Sequence, residues 1–453
     1  MIFRGNELKR LESLYRESGN QLYIMYGRSG CGMELLLKLF CKDKKSFYYR
    51  ARNASPKEQL RQMQMEIEKQ FSANLTKDNY EECFNRIKSG DASKLVVVID
   101  AFDLIAKKDP EFFESIVKLR LKKLYPGPVM ILLCNHTIPW SEKEMETCLG
   151  EKYHKVDGVI KLDDMGFLDV VRAFPEYSVA QCVETYGIIG GVPEYLNRWN
   201  GKKSIKENIC NYILSPQGYL FSEAEDFIRG ELRELSVYDT ILASIAAGNE
   251  KLNDLFLSTG YSRAKISVYI KNLAAFDVVE KVVSFETGGW DNSKKGVYHI
   301  KNHFVNFWFT FIYPHLSDLY ILSPEEFYEA YIQEDLDDYL SQYFVSVCTE
   351  YLQLLNQVNQ VPIKLVKMGT WVGKMGTIDI IGQNEQRENV VGICNWKDAQ
   401  LTYASYENLL VQMKKAKISA KVIYLFSAKK FEPALVEFAE NNSQLILVDM
   451  TEL

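Results

Sequence analysis

The chain has 453 residues, a formal net charge of -6, and 47% hydrophobic and 25% charged residues. This length exceeds one ordinary hydrophobic core, so we expect two to four domains of average soluble composition. The charge excludes a protein coated in basic surface, although a local basic face could still meet nucleic acid, and no run of about 18 apolar residues predicts a membrane span.

The cysteines and the first residues of the chain indicate the cellular compartment. The nine cysteines, among them Cys31, Cys83, Cys134 and Cys394, show neither paired spacing nor a C-x-x-C motif. This pattern suits a reducing cytoplasm better than a disulfide framework and argues against zinc. The opening MIFRGNELKR contains no apolar signal core. We therefore expect a cytoplasmic protein with no membrane partner.

The first candidate site is the stretch GRSGCGME, which follows an apolar strand, QLYIMY, and precedes an amphipathic helix, ELLLKLF. Its glycines have the spacing of the phosphate-binding P-loop, G-x-x-x-x-G-K-[ST]. Met33 stands where the lysine belongs, and Glu34 where the magnesium-binding hydroxyl belongs. The candidate nucleotide-binding residues are Gly27, Arg28, Ser29, Gly30, Cys31, Gly32, Met33 and Glu34.

These substitutions change the chemistry of the loop. Gly27 and Gly32 still allow backbone N–H groups to wrap phosphates at a helix N-terminus. Loss of the lysine at Met33 removes a contact of about 1.5–3 kcal/mol, roughly 10- to 100-fold in affinity. A Glu34 carboxylate about 4 Å from a phosphate repels it by about 4 kcal/mol, and can itself act as the anion at the helix N-terminus. Arg28 could replace part of the missing lysine charge.

Further apolar runs, SFYY, KLVVVID and VMILLCN, alternate with charged helical stretches, which predicts a parallel sheet. Asp100 ends the second of these runs and is the candidate magnesium-side carboxylate. Ala101 follows it. Asn135 ends the third run, as a γ-phosphate sensor or, more simply, as a turn former.

The middle of the chain changes pattern twice. Residues 151–228 predict a helical lid or connector, interrupted by GIIGGVPEYLNRW, and residues 229–315 show the helix and strand order of a winged helix-turn-helix. Basic residues on its second helix and in its turn could contact DNA phosphates and a groove; the alternative is an ordinary solvated face. The candidate DNA-binding residues are Arg263, Lys265, Lys271, Lys294 and Lys295. His299 and His303 are interpreted as packing residues rather than metal ligands.

The last region, residues 316–453, predicts a smaller α/β domain. A long helix, EDLDDYLSQYFVSVCTEYLQLLN, precedes strands near IKLV, GTIDII and NVVGICNW. Helix YENLLVQMKKAKI and strand KVIYLF follow.

Together, these motifs resemble the archaeal-type P-loop ATPases that carry a C-terminal domain similar to the PD-(D/E)xK nucleases. The motifs are F-x-G-x-E-x-x-x-L (Phe3, Gly5, Glu7, Leu11), the P-loop frame, GGVPEYL, ELRE, FWFTF, TIDII and ICNW. The resemblance implies an α/β fold with a P-loop ATPase-like domain (1–150), the helical connector, the winged helix, and a restriction-endonuclease-like domain. It covers nearly the whole chain.

The resemblance also implies a nuclease site, from which this sequence departs. Glu350 and Asp379 match the acids on the helix and at the strand end. The third element of the family, E-C-K-W, reads Ile393, Cys394, Asn395, Trp396, so that one metal ligand and the lysine are absent. Lys397 and Glu407 are candidates for relocated groups. The remnants of chemistry are Asp100, Glu350, Asp379 and Lys397, and we expect no intact catalytic site.

The sequence therefore predicts a catalytically degenerate ATPase-family protein, a pseudoenzyme that binds double-stranded DNA or a protein partner in a regulatory role. The alternative is an ATP-dependent switch or a DNA nuclease with relocated residues. We expect no cofactor; weak binding of ATP and Mg²⁺ is the open alternative.

Overall fold

A computed structural model describes residues 4–71, 77–87, 93–121, 127–232, 234–285, 296–373 and 376–453. The chain divides into two compact units. The first contains residues up to Asp164 together with Val192–Asn197, and the second contains Met165–Gly191 and Arg198–Leu453.

The first unit is built on a five-stranded sheet in which every pair of neighbouring strands is parallel. The strands are β1 (Gln21–Gly27), β2 (Ser46–Arg50), β3 (Leu95–Asp100), β4 (Val129–Asn135) and β5 (Gly158–Leu162), in the order β2-β3-β4-β1-β5. Central strands β3 and β4 are buried along their whole length. Parallel strands covered on both faces are expected to be continuously apolar, and these are.

Helices cover both faces of this sheet. They are α1 (Gly5–Arg16), α2 (Met33–Cys41), α3 (Pro56–Phe71), α4 (Tyr80–Arg86), α5 (Asp103–Ala106), α6 (Pro110–Leu121), α7 (Ile138–Lys143) and α8 (Met145–Leu149). Alternate residues of β3 enter two different apolar clusters, Val97 on one face and Val98 on the other. The predicted α/β class with a parallel P-loop-type sheet is confirmed, as are the four apolar runs predicted to be strands.

One strand lies where the sequence predicted helix. Residues Gly158–Leu162 form β5, which pairs in parallel with β1 from Tyr23 to Gly27. The prediction of a helical segment from residue 151 was therefore wrong at this point. An edge strand of five residues, with a polar lysine within it, lacks the continuous apolar run that identifies the central strands.

The second unit contains the remaining helices. They are α9 (Phe167–Ala173), α10 (Val179–Ile189), α11 (Pro193–Arg198, which begins in the first unit), α12 (Ile205–Asn208), α13 (Glu223–Glu231), α14 (Leu235–Ala246), α15 (Leu252–Thr259), α16 (Arg263–Ala275), α17 (His303–Phe307), α18 (Leu316–Leu319), α19 (Pro324–Tyr331), α20 (Leu336–Gln357), α21 (Tyr403–Ala416) and α22 (Pro433–Glu440). The long helix predicted before the last strands is α20.

The winged-helix order is present in α14, α15 and α16, followed by an antiparallel pair, β6 (Val279–Val283) and β7 (Gly296–Ile300). Ser262 caps α16 by accepting a hydrogen bond from the Lys265 backbone N–H. Ile266, Ile270 and Leu273 are the buried residues of α16, and their spacing places them on one face. The opposite face of α16 is left to solvent.

The C-terminal part carries a second five-stranded sheet of mixed direction. Its strands are β8 (Lys367–Gly373), β9 (Gly376–Gln383), β10 (Asn389–Asn395), β12 (Val422–Ser427) and β14 (Leu445–Asp449), in the order β14-β12-β10-β9-β8; β11 (Gln400–Leu401) and β13 (Lys430–Phe431) form a separate short pair. Strand β8 follows the predicted IKLV strand by a few residues. At its outer edge, the Phe285 backbone N–H donates to the Thr370 carbonyl (2.8 Å).

Within the described ranges, every helix is too short or too polar to cross a membrane.

Candidate functional site

The glycine loop has the backbone form that a phosphate cradle requires. Strand β1 ends at Gly27 and α2 begins at Met33. Between them, Gly30 and Gly32 have φ angles of 77° and 83°, which residues with a Cβ rarely adopt. The glycine frame recognised in the sequence therefore forms a left-handed turn into a helix N-terminus, the place where anions bind in many proteins.

Met33, at the lysine position, faces the protein interior. Its side chain is 1% exposed and belongs to an apolar cluster that includes Met25 and Leu36. A lysine would leave this cluster to reach a phosphate, whereas the methionine is held in it by burial. The loop has thus exchanged a charged contact for core packing.

The guanidinium of Arg50 lies between two carboxylates. Arg50 ends β2, Asp100 ends β3, and the two residues are direct partners across these strands. Arg50 Nε lies 3.6 Å from Asp100 Oδ2, and Arg50 Nη1 forms an ion pair with Glu34 Oε1. In working P-loop proteins the loop hydroxyl and the acid at this strand end hold Mg²⁺. Here the residues at those two positions hold a guanidinium instead.

Asp100 is the buried centre of this cluster. It is 1% exposed, and Tyr48 Oη donates to its Oδ2 at 2.8 Å while the Ala101 N–H donates to its Oδ1 at 2.9 Å. His136 Nε2 lies 3.3 Å from Oδ1. Burial raises the pKa of Asp100, but the hydrogen bonds from His136 and Tyr48 outweigh it and hold the pKa below its usual range. Asp100 is therefore ionised and fully engaged.

His136 supplies a second positive charge. Burial lowers its pKa, but the hydrogen bond with Asp100 and the nearby Cys31 raise the pKa to about 10. The imidazole is therefore protonated at neutral pH. The four charges of Glu34, Arg50, Asp100 and His136 sum to zero. We call these four residues the loop charge cluster.

Ala101 is in the left-handed region, with φ of 53°. It directly follows Asp100, and its methyl group cannot act as a base. Non-glycine residues in this region are strained by about 1 kcal/mol or more.

Two further contacts fix the loop within the first unit. Arg4 is buried and donates through Nε (2.9 Å) and Nη2 (2.7 Å) to the Cys31 carbonyl, while its Nη1 pairs with Glu7 at 2.9 Å. Arg28 Nη1 pairs with Asp164 Oδ2 at 3.1 Å. The Arg28 charge, expected to replace the lysine, is thus shared with a carboxylate.

The GGVPEYL motif also meets the loop. The Glu194 backbone N–H donates to the Gly30 carbonyl at 3.2 Å. A Cβ on Gly30 would lie 3.0 Å from the Glu194 carboxylate, and one on Gly32 would lie 3.3 Å from Pro193. Both glycines are required by this close approach, and a second acid, Glu194, stands beside the cradle.

The residues present therefore do not fit magnesium-bound ATP. Met33, at the lysine position, belongs to the apolar core. Glu34 stands at the hydroxyl position, and Arg50 lies between Glu34 and Asp100, where the metal ion would bind. Asn135 behaves as a turn former, because its Oδ1 accepts from the Thr137 N–H (3.0 Å) and from Ser141 Oγ (2.9 Å).

The residues predicted to be remnants of a nuclease site bond to separate partners. Glu350 accepts from the Phe167 N–H (2.8 Å) at the start of α9 and from Tyr186 Oη (2.7 Å). Lys397 pairs with Asp338, its Nζ lying 2.5 and 2.7 Å from the two carboxylate oxygens.

Asp379 accepts from the Cys394 N–H at 2.9 Å. Burial raises the pKa of Asp379, and this hydrogen bond lowers it by a smaller amount. Burial together with the Cys348 thiol raises the pKa of Cys394, which keeps that thiol protonated. Glu407 is exposed on α21. Across the described residues, no three or more His, Cys, Asp or Glu side chains are grouped to hold a metal ion.

The DNA-binding candidates on α16 lie on its solvent face. Arg263, Lys265 and Lys271 are exposed. Arg263 packs over the Phe256 ring, with 4.2 Å to the centroid, and Lys265 over the Tyr261 ring at 4.5 Å. Lys294 and Lys295 lie outside the described residues.

The two histidines predicted to be packing residues each contact another group of the protein. His299 Nε2 lies 3.3 Å from Glu250, and His303 Nδ1 lies 2.6 Å from the Tyr186 carbonyl.

Sequence reasoning missed Arg4, Arg50, His136 and Glu194. Each lies near a recognised motif: Arg4 between Phe3 and Gly5, and Glu194 inside GGVPEYL. Arg50 and His136 directly follow apolar strand runs, and residues at the carboxyl ends of parallel strands meet at one edge of the sheet. The position of Arg50 and His136 directly after apolar strand runs was the signal that could have identified them.

Comparison with known proteins gives one family and several relatives. Residues 308–415 match a family described as archaeal and bacterial proteins of unknown function, DUF234. The uncharacterized protein MJECL04 of Methanocaldococcus jannaschii is 26% identical over 403 residues, 88% of each chain.

Among solved structures, the Walker-type ATPase PABY2304 of Pyrococcus abyssi is 15% identical, with a TM-score of 0.46 over 68% of this chain and 95% of that one. The ORC2 protein of Aeropyrum pernix is 11% identical, with a TM-score of 0.42 over 73% and 95%. The ORC1 protein of the same organism, in complex with DNA, is 13% identical, with a TM-score of 0.34 over 70% and 94%. Residues 308–415 are thus similar in sequence to DUF234 proteins.

Proposed function

We propose that this protein is a DNA-binding regulatory protein, in which α16 contacts double-stranded DNA and the P-loop module serves as a scaffold that does not hydrolyse ATP. The observation that carries the proposal is the exposed face of α16. This helix has three basic residues and no acidic residue over Arg263–Ala275, although the chain as a whole is acidic.

The face of α16 has the chemistry of a phosphate-contacting helix. Its basic side chains are exposed, while Ile266, Ile270 and Leu273 anchor the opposite face. Lys265 lies beside Tyr261 and Tyr269, so the charged groups border aromatic surface. In helix-turn-helix proteins the corresponding helix lies in the major groove. Basic residues there fix register through phosphates, and this term depends strongly on salt.

The loop charge cluster supports the scaffold part of the proposal. A site without the lysine, the hydroxyl and the water-polarising acid lacks the three groups on which phosphoryl transfer depends. The relocated nuclease alternative finds no support in the partners of Glu350, Asp379 and Lys397, since each is engaged in a different local contact.

The test is a fluorescence-anisotropy titration of a duplex of about 30 base pairs at several salt concentrations, since removing one lysine or arginine that binds a phosphate lowers the salt slope by about 1. The variant Arg263→Ala/Lys265→Ala/Lys271→Ala is compared with Arg10→Ala/Lys414→Ala/Lys415→Ala, which removes the same number of exposed arginines and lysines elsewhere. We expect the first to weaken binding at least about tenfold at low salt and the second to bind like the wild type. Equal binding by both variants contradicts the proposal.

The scaffold part is tested by calorimetric titration with ATP, with and without Mg²⁺. We expect no heat of binding up to about 1 mM ATP, which corresponds to a binding free energy weaker than about -4 kcal/mol. Magnesium-dependent binding in the micromolar range would instead favour the ATP-dependent switch.

A further inference from the structure

We propose that Arg50 is an internal substitute for magnesium: its guanidinium occupies the metal position of the P-loop and closes that position to divalent cations. Removing Arg50 then uncovers a latent divalent-cation site formed by Glu34 and Asp100. The inference rests on the scaffold part of the proposed function but is independent of DNA binding.

Three elements bring the cluster together. Glu34 lies in the first turn of α2, Arg50 at the end of β2, and Asp100 at the end of β3. Because β2 and β3 pair in parallel with Arg50 opposite Asp100, the arginine backbone is fixed beside the buried acid. Its side chain then spans from Asp100 to Glu34. The guanidinium is positioned by the sheet rather than by surface attraction alone.

The contacts of Asp100 occupy both carboxylate oxygens, so that neither is open to a metal ion. A carboxylate offers about four lone-pair sites. Oδ2 faces Tyr48 Oη and Arg50 Nε, and Oδ1 faces the Ala101 N–H and His136 Nε2. A divalent ion must displace one of these groups before it can bind.

Charge gives the same result. The carboxylates of Glu34 and Asp100 both lie against the Arg50 guanidinium, so a divalent ion at this position would be repelled by that positive charge. Without Arg50, the pair of carboxylates carries a net negative charge at a helix N-terminus and a strand end. Carboxylate oxygens are the ligands that Mg²⁺ and Mn²⁺ prefer.

The probe is Mn²⁺ alone, because the electron paramagnetic resonance signal of the free ion reports binding without nucleotide or activity. We expect the wild type to bind Mn²⁺ at least about tenfold more weakly than Arg50→Gln. The double variant Arg50→Gln/Glu34→Gln should lose the gained binding. The matched control is Arg52→Gln, which removes an exposed arginine whose Nη1 donates to Gln62 Oε1. It should behave like the wild type.

A folded Arg50→Gln that binds Mn²⁺ no better than the wild type overturns the inference, as does a wild type that binds as tightly as the variant. Arg50→Lys keeps a cation at the position and serves if Arg50→Gln does not fold. Arg50→Lys should bind no Mn²⁺, and the melting temperature of the wild type should not rise in about 10 mM Mg²⁺. Binding of Mn²⁺ by Arg50→Lys, or a higher melting temperature of the wild type in Mg²⁺, also overturns the inference.

Failure of this inference and failure of the proposed function give different results. Magnesium-dependent ATP binding by the wild type removes the scaffold proposal. Absence of Mn²⁺ binding in Arg50→Gln removes only the role of Arg50. DNA binding by α16 is measured separately and is unaffected by either outcome.

Discussion

The acids of the glycine loop and the acids of the C-terminal region have different kinds of partner. At the P-loop, Glu34 and Asp100 are joined by Arg50 into one charge-balanced cluster. In the C-terminal region, Glu350 and Asp379 each bond to backbone N–H groups in different places. Acids at a candidate site can therefore be joined in one polar network or held in separate structural contacts.

The difference follows from where the groups lie. The ends of parallel strands converge, so charges there remain neighbours whatever the loop sequence becomes. The cluster then needs internal neutralisation, because unpaired buried charges are costly. In the C-terminal region a helix residue, Glu350, can serve a helix N-terminus instead, where a carboxylate is stabilised by the free N–H groups.

The largest expected difference between the two regions comes from replacing Asp100 and Asp379, in separate variants, by asparagine. Asp100→Asn leaves Arg50 and His136 without their charge partner, and we expect it to lower the free energy of unfolding by about 3 kcal/mol. Asp379→Asn keeps an acceptor for the Cys394 N–H and removes a charge that burial disfavours, so we expect a change within about 1 kcal/mol.

Denaturant unfolding of each variant and of the wild type measures both changes. Equal losses would show that the two acids are in equivalent networks, contrary to the comparison.

The pH dependence of stability gives the next largest effect. The folded-state pKa of His136 is about 10, above its ordinary value of 6.5. A raised pKa means that the stabilisation is complete below about pH 6.5 and is lost as the pH rises toward 10. The full difference in pKa corresponds to about 5 kcal/mol. Because a quarter of the imidazole is exposed, solvent screening lowers this value, and we expect His136 to account for about 2–3 kcal/mol over this window.

The measurement is the difference in unfolding free energy between the wild type and His136→Gln from pH 6 to 10. This difference cancels the cysteines and tyrosines that titrate in the same range. A difference that does not change with pH would mean that His136 carries no charge in the cluster.

Glu350→Ala tests whether an acid of the C-terminal region stabilises the fold through its own local contacts. Both carboxylate oxygens are bonded, to the Phe167 N–H and to Tyr186 Oη, and the first contact caps α9. We expect a loss of about 2 kcal/mol, in the range measured for removal of caps and of hydrogen bonds to charged groups.

The control is Glu407→Ala, which removes an exposed acid on α21 and should change stability by less than about 0.5 kcal/mol. If Glu350→Ala is as neutral as the control, Glu350 does not hold α9, and a role in binding becomes the better explanation.

Local patterns predicted the elements but not the contacts of the site. Strands β1, β3 and β4 are continuous apolar runs, and α14 to α16 are periodic, so both types are visible in a short window. Strand β5 is short and lies at an edge, and it was missed. Arg50 could not be assigned from spacing, because 50 residues separate it from Asp100 and only the pairing of β2 with β3 brings them together. The same applies to Glu194 at Gly30.

The smallest predicted effect concerns the residue beside Asp100. Ala101 has a left-handed backbone, with φ of 53°, at the position where an acid would be catalytic. Ala101→Gly relieves this strain, and we expect it to raise the free energy of unfolding by about 0.5–1 kcal/mol despite the greater freedom of the unfolded chain. Ala106→Gly, in the last turn of the short helix α5, should lower it by a similar amount. Thermal unfolding of the two variants should therefore shift in opposite directions. A loss of stability in both variants would mean that the Ala101 backbone is unstrained. The loop charge cluster, including the bonds made by Asp100, would then hold that backbone at no conformational cost.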